Sequence, residues 1–242
     1  MIDQPPILSV MHKLGLEPDD WQLDVLEGNH RRLLLNCSRQ AGKSTAVAVL
    51  SMIEALTVRG AVILLLSRTK RQSAELFRTV ADSFVRLQAP WVKRMTLHEL
   101  ELKTGSRIIS LPCSADTIRG YSGVHMLVID EASRVPDDLY RTVRPMLAAS
   151  AGKLICLSTP NGKHGFFYEA WAHGGDDWAR IEVPASKVPR ISPEFLAEER
   201  RCIGEMWYRQ EYECSFEALE GMVYPSFARC IVPGEPGVLL QR

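Results

Sequence analysis

Neither sign of charge is in excess in this sequence. Its 242 residues carry 29 Lys plus Arg against 29 Asp plus Glu. The positive bias of a dedicated nucleic-acid coat is therefore excluded, and any contact with a polyanion must be local. Paired cysteines are missing too. Cys37, Cys113, Cys156, Cys202, Cys214 and Cys230 are scattered, with no CxxC pair and no His at zinc-finger spacing. This argues against a zinc site or a disulfide framework and points to a reducing interior. No apolar stretch reaches spanning length, and the first twenty residues carry acids and prolines where a signal peptide needs a basic start and an apolar run. Internal repeats and low-complexity tracts are also absent. The expectation is a soluble, intracellular chain with no membrane partner.

What is present is core. With 46% hydrophobic residues, the chain can bury a sizeable interior and is most simply one domain with a short appendage. Apolar runs at 32–35, 61–66, 126–129 and 154–157 lack the alternation of half-exposed strands and read as buried parallel strands. Between them, 43–58 and 70–87 repeat apolar residues at three and four positions, as helices do. The fold class is α/β, a mostly parallel central sheet with helices on both faces. Residues 96–102 alternate in polarity, Thr104-Gly105-Ser106 reads as a turn and 107–111 resume, which predicts an antiparallel hairpin. A strand over 178–183, a Pro-punctuated loop over 184–193 and helices over 194–213 follow. The expected divisions are a core over 1–183, a small helical lid over 184–219 and a Gly- and Pro-rich linker over 220–242.

The chemistry begins at Cys37-Ser38-Arg39-Gln40-Ala41-Gly42-Lys43-Ser44-Thr45, between an apolar strand and a helix. In that setting successive backbone N–H groups face one concavity and the helix N-terminus adds its positive end. Lys43 can then reach the β- and γ-phosphates, and the Ser44 hydroxyl can hold Mg²⁺. Cys37 stands where the usual motif begins with Gly. The run 126–131 ends a buried strand in two carboxylates: Asp130 falls beside the metal and Glu131 can polarise an attacking water. Ser158-Thr159-Pro160 ends a later strand in two hydroxyls able to sense the γ-phosphate or the water.

In this order and spacing, SRQAGKST, MLVIDEAS and LSTPNGKHG resemble the ATPase domain of phage terminase large subunits, and the resemblance extends over nearly the whole chain. The resemblance implies a P-loop NTPase of the ASCE, RecA-like type that uses ATP and Mg²⁺. Residues 16–26 are similar to the family's adenine-recognition segment, with Gln22 on the base. Residues 119–123 are similar to its Arg-Gly stretch, and the closing residues 209–227 resemble its join to a nuclease domain. Carried onto this sequence, Lys43 and Ser44 bind phosphate and metal, with Ser38, Gln40, Ala41, Gly42 and Thr45 completing the cradle. Arg39 is the loop arginine, Asp130 the metal ligand, Glu131 the catalytic acid, Ser158 and Thr159 the coupling motif, and Arg119 a finger acting on a neighbour's ATP. The implied function is translocation of double-stranded viral DNA into a procapsid. Its implied partners are a homo-oligomeric ring (pentamer), a portal protein and a small terminase subunit, in the host cell cytoplasm. No acidic cluster able to hold nuclease metals is present, so no DNA cleavage is expected of this chain. Arg68-Thr69-Lys70-Arg71 and Lys93-Arg94 are the candidate DNA contacts. The alternatives are a helicase-like DNA-dependent ATPase and a non-catalytic ATP-binding assembly module.

Overall fold

The apolar runs become strands because helices cover both of their faces. The computed structural model describes residues 7–113, 118 and 120–217. Among them, β1 (Arg32–Cys37), β2 (Val62–Ser67), β3 (Val92–Met95), β4 (Glu99–Leu102), β5 (Arg107–Pro112), β6 (Met126–Asp130), β7 (Lys153–Ser158) and β8 (Ala179–Val183) form one sheet. Their order is β3-β4-β5-β2-β6-β7-β1-β8. From β5 to β8 every neighbouring pair is parallel.

Alternate residues of the central strands feed two separate cores. Leu33, Ile63, Val128 and Ile155 pack beneath α1 (Ile7–Lys13), α2 (Asp20–Glu27), α3 (Lys43–Thr57) and α4 (Lys70–Arg86). Leu34, Leu64, Leu127 and Cys156 pack on the other face beneath α5 (Asp137–Val143) and α6 (Gly165–His173). A strand apolar on both sides shows no alternation, which is why these runs were continuous in the sequence. Arg180 ties β8 to the end of α6 by donating four hydrogen bonds, to the carbonyls of Ala170, Trp171, Gly175 and Trp178 at 2.8–2.9 Å. A cation on the last carbonyls of a helix suits both their lone pairs and the helix dipole.

The expected hairpin is present as β4 and β5, paired antiparallel, but its second arm is not peripheral. β5 runs parallel to β2 and buries Ile108 in one core and Ile109 in the other. One edge of the sheet is β3, a strand with no apolar pattern to announce it. Its Lys93 and Arg94 form ion pairs with Glu101 (2.7 Å) and Glu99 (3.0 Å) across the ladder. Charged side chains on an edge strand discourage pairing with another chain, and here they are neutralised locally.

After β8, α7 (Pro193–Ile203) and α8 (Glu205–Tyr212) pack through Tyr208, Tyr212 and Ala185. Ser192 caps α7, accepting from the Phe195 amide at 3.2 Å, and Pro193 follows at the first helical position. The linker expected over 220–242 lies outside the described residues. Among the described residues no helix is long and apolar enough to cross a membrane.

Candidate nucleotide-binding site

β1 ends at the phosphate loop, and the missing first glycine is explained there. Cys37 is still strand, paired with Val183, and fully buried, with burial pushing its thiol up to about 12. An extended residue needs no glycine. The left-handed turns fall later, at Gln40 (φ +59°) and Gly42 (φ +89°). Glycine suits the second of these, because φ +89° strains an L side chain; a Cβ on residue 42 would also press on Gln22 Nε2 at 2.9 Å and Arg190 Nη2 at 3.3 Å. α3 starts at Lys43, so its first-turn amides have no acceptor within the helix and face outward as an anion site.

Two neighbours hold the loop in place. The Ser38 amide donates to the Val183 carbonyl (2.9 Å) and the Arg39 amide to the Glu211 carbonyl of α8 (3.0 Å). A cavity of about 450 Å³ opens above, lined by residues 39–45 with Gln72, Glu131, Arg134 and Thr159. Beyond Ser44 a second space, about 320 Å³, is lined by Asp130, Glu131, Arg71 and Gln72 among others. A third, about 620 Å³, lies past Gly42 and Thr45, between Gln22 on one side and Pro189 and Arg190 on the other. The first shares Ser44 with the second and Gly42 and Thr45 with the third, so the three adjoin around the loop.

The acids expected at the end of β6 meet the loop. Lys43 Nζ is 3.4 Å from Glu131 Oε1. Glu131 takes a left-handed conformation (φ +51°), and its amide donates to Asp130 Oδ1 at 3.0 Å. Asp130 is buried. Burial first, and the neighbouring Glu131 second, push its carboxyl up to about 6, against the pull of Lys43. Ser44 and Asp130 line the same side of the cavity system, a hydroxyl and a carboxylate of the hard-oxygen kind that magnesium takes.

Charge continues outward from Glu131. Arg134 Nε lies 4.0 Å from Glu131 Oε2, and Arg134 Nη2 lies 3.9 Å from Glu211 Oε1. Glu211 in turn accepts from Arg39 Nε at 2.5 Å. That bond is the chief reason the Arg39 guanidinium holds its proton more tightly than usual. Lys43, Glu131, Arg134, Glu211 and Arg39 thus alternate in sign across the mouth of the cavity.

Thr159 lines the cavity, whereas Ser158 sits behind it. The Ser133 amide donates to Ser158 Oγ (3.2 Å), the two hydroxyls lie 2.7 Å apart, and Ser133 Oγ donates to the Thr159 carbonyl (2.8 Å). This buried network joins the turn after Glu131 to the end of β7. Ser38 is also behind the cavity, its hydroxyl buried without a partner among the described residues. Gln22 lines the space past Gly42, and both ends of its amide are held by backbone: Nε2 donates to the Gly42 carbonyl (3.3 Å), and Oε1 accepts from the Asp19 amide (3.0 Å). Arg119 lies outside the described residues.

Sequence reasoning missed three residues here. Arg134 stands three positions after Glu131, a spacing that could have flagged it. Glu211 and Arg190 come from far along the chain and carry no local signal. Arg190 donates to both carboxylate oxygens of Asp19 (2.9 and 2.8 Å) and to the Ala41 carbonyl (3.1 Å), clasping the base-side segment to the loop. Arg190→Ala is expected to raise KM for ATP about tenfold with kcat little changed, since it loses charge-assisted bonds that order the binding site rather than the reacting atoms. Steady-state kinetics measure the split, and a fall in kcat at constant KM would contradict it.

Residues 34–229 match the family described as terminase large subunit, T4likevirus-type, N-terminal. The large terminase subunit of Escherichia phage T5 is 28% identical over 236 residues, covering 92% of this chain and 53% of its own length. The chain spans about half the length of the curated relatives it matches. The large terminase ATPase domain of Thermus phage P74-26 has the same fold, with a TM-score of 0.76 at 22% identity over 86% of this chain and 97% of that one. The large terminase of a thermophilic bacteriophage, in complex with ADP, gives 0.69 at 16% identity, over 86% and 56%.

Proposed function

Since the chain belongs to the T4-like-virus-type family of terminase large subunit N-terminal domains, we propose that it hydrolyses ATP to drive double-stranded viral DNA into a procapsid. The observation that carries this reading is the meeting of Lys43 and Ser44 with Asp130 and Glu131 around two adjoining cavities that share Ser44 and Glu131. A cradle alone would bind nucleotide. A carboxylate at its γ-phosphate end also supplies a base, and that favours turnover over a non-catalytic assembly role.

In this reading the triphosphate lies along the first-turn amides of α3 with Lys43 against its outer phosphates, and the base lies past Gly42 beside Gln22. Magnesium, held by Ser44 and Asp130, would neutralise charge on the outer phosphates. Glu131 orients the attacking water and takes its proton. Lys43 leaves Glu131 for the phosphates, which frees that carboxylate for the water. Arg39 completes the cis site. Arg119 of a neighbouring copy stabilises the charge on the transferring phosphoryl. Ser158 and Thr159, joined to the Glu131 turn through Ser133, report the state of the γ-phosphate to β7. The division into core (1–183), helical lid (184–219) and linker (220–242) belongs to the same reading. So do a pentameric ring, a portal protein and a small terminase subunit as partners, and work in the host cell cytoplasm.

Phosphate release from Mg-ATP per chain, followed as protein concentration rises, tests this. The specific rate is expected to climb with concentration and to fall in Arg119→Ala. A flat rate would remove the trans arginine, and release no greater than the Glu131→Gln blank would overturn the ATPase reading itself.

A further inference from the structure

The two basic runs visible in the sequence do not make the best anion site. Lys93 and Arg94 are paired with carboxylates, and Arg71 faces the nucleotide cavity. A stronger cationic surface is assembled at the other end of the sheet. There β1 starts at Arg32, and a groove of about 410 Å³ is lined by Arg31, Arg32, Tyr140, Arg141 and Arg144. The four arginines come from the head of β1, from α5 and from the turn after it.

Carboxylates do little to offset their charge. Among the described residues no ion pair involves Arg31, Arg32 or Arg144, although the cations of the edge strand are matched by carboxylates. Arg141 pairs only with Asp138, a carboxylate 93% exposed to water. Arg32 is anchored, donating from Nη1 to the carbonyls of Gly152 (3.1 Å) and Arg31 (3.3 Å). Arg144 lies over the Tyr140 ring, 5.5 Å from its centroid, and that ring is stacked on Phe166 at 4.0 Å and 5°. Anchored or stacked guanidiniums lose less freedom on binding than free ones. Burial, and then the charges of Arg31 and Arg144, lower the proton affinity of Arg32, outweighing the opposite pull of Tyr140 and Cys156. Arginine forks match phosphate oxygens two at a time.

We propose that this groove binds the phosphodiester backbone of duplex DNA, at the pole of the sheet opposite the nucleotide. The choice of duplex DNA over another polyanion rests on the function proposed above, whereas the groove rests on the arginines alone. The two poles are joined directly. β1 runs from Arg32 in the groove to Cys37 at the phosphate loop, about 17 Å at the rise of a strand, so a stiff, buried element links DNA contact to nucleotide contact.

The test is fluorescence anisotropy of the whole 242-residue chain with a short labelled duplex over a series of salt concentrations. Arg31→Gln with Arg144→Gln is expected to weaken binding about tenfold or more at low salt. It should also reduce the slope of log affinity against log salt by about 2, the release expected for two phosphates. Arg31→Lys with Arg144→Lys should restore most of the slope. ATP turnover without DNA should not change, because neither arginine belongs to the nucleotide site. Wild-type affinity and slope in the Gln variant would overturn the groove while leaving the proposed function standing, and so would equal loss in the Gln and Lys variants. Displacement of the duplex by millimolar inorganic phosphate at constant ionic strength would reassign the groove to a free anion. If the wild-type chain fails to bind the duplex at all, the DNA part of the proposed function falls with it.

Discussion

Glu131→Gln is expected to bind Mg-ATP at least as tightly as the wild type and to release phosphate roughly 10²–10⁴-fold more slowly, the range for loss of a positioned general base. The substitution keeps the shape of the side chain and removes its basicity. It also removes the partner that Lys43 meets at 3.4 Å, so the lysine is no longer divided between carboxylate and phosphate. Affinity should therefore hold or improve while chemistry stops. A fluorescent ATP analogue measures the first and single-turnover phosphate release the second. Turnover within about tenfold of wild type would mean that the base is another group. Weakened binding with unchanged chemistry would mean that Glu131 serves the charge array it shares with Arg134 rather than the water.

Asp130→Asn is expected to make the metal-free protein more stable and to abolish turnover. The sign follows from the direction of the shift. The Asp130 carboxyl is raised from 3.8 to about 6 in the folded chain, so the unfolded chain ionises first as pH rises. Folding stability is then lost progressively between about pH 4 and pH 6 and stays low above that. A difference of about 2 units corresponds to about 3 kcal/mol, which the neutral amide should return at about pH 7.5. The Asn carbonyl can still accept from the Glu131 amide. Urea denaturation without metal should show the variant ahead near neutral pH, with its lead shrinking toward about pH 4. Magnesium should stabilise the wild type and leave the variant unmoved. A lead of equal size at both pH values, or none near neutral pH, would rule out buried charge as the cause. A site that gives up stability to keep a buried carboxylate ready is a known trade between stability and activity.

Much of this protein was determined by the order of its residues alone, wherever the physics is local. The proposed phosphate cradle is made of consecutive amides, so its residues must be contiguous. Asp130 ends its own strand and Glu131 follows it, so one segment contains both the support and the charge. Strands covered on both faces appear as unbroken apolar runs, which is why β1, β2, β6 and β7 were legible in advance. The edge strand β3 was not, because a charged four-residue strand is stabilised by its ladder partner rather than by any pattern of its own. Tertiary structure alone decided the rest. Glu211 reaches Arg39 across 172 residues of sequence and Arg190 reaches Asp19 across 171, and the arginine groove is built from separate segments. Ion pairs and like-charge clusters depend on distance in space and leave no trace in residue order, so only the packing of α5, α8 and the loop after β8 around the ends of the sheet could bring them together.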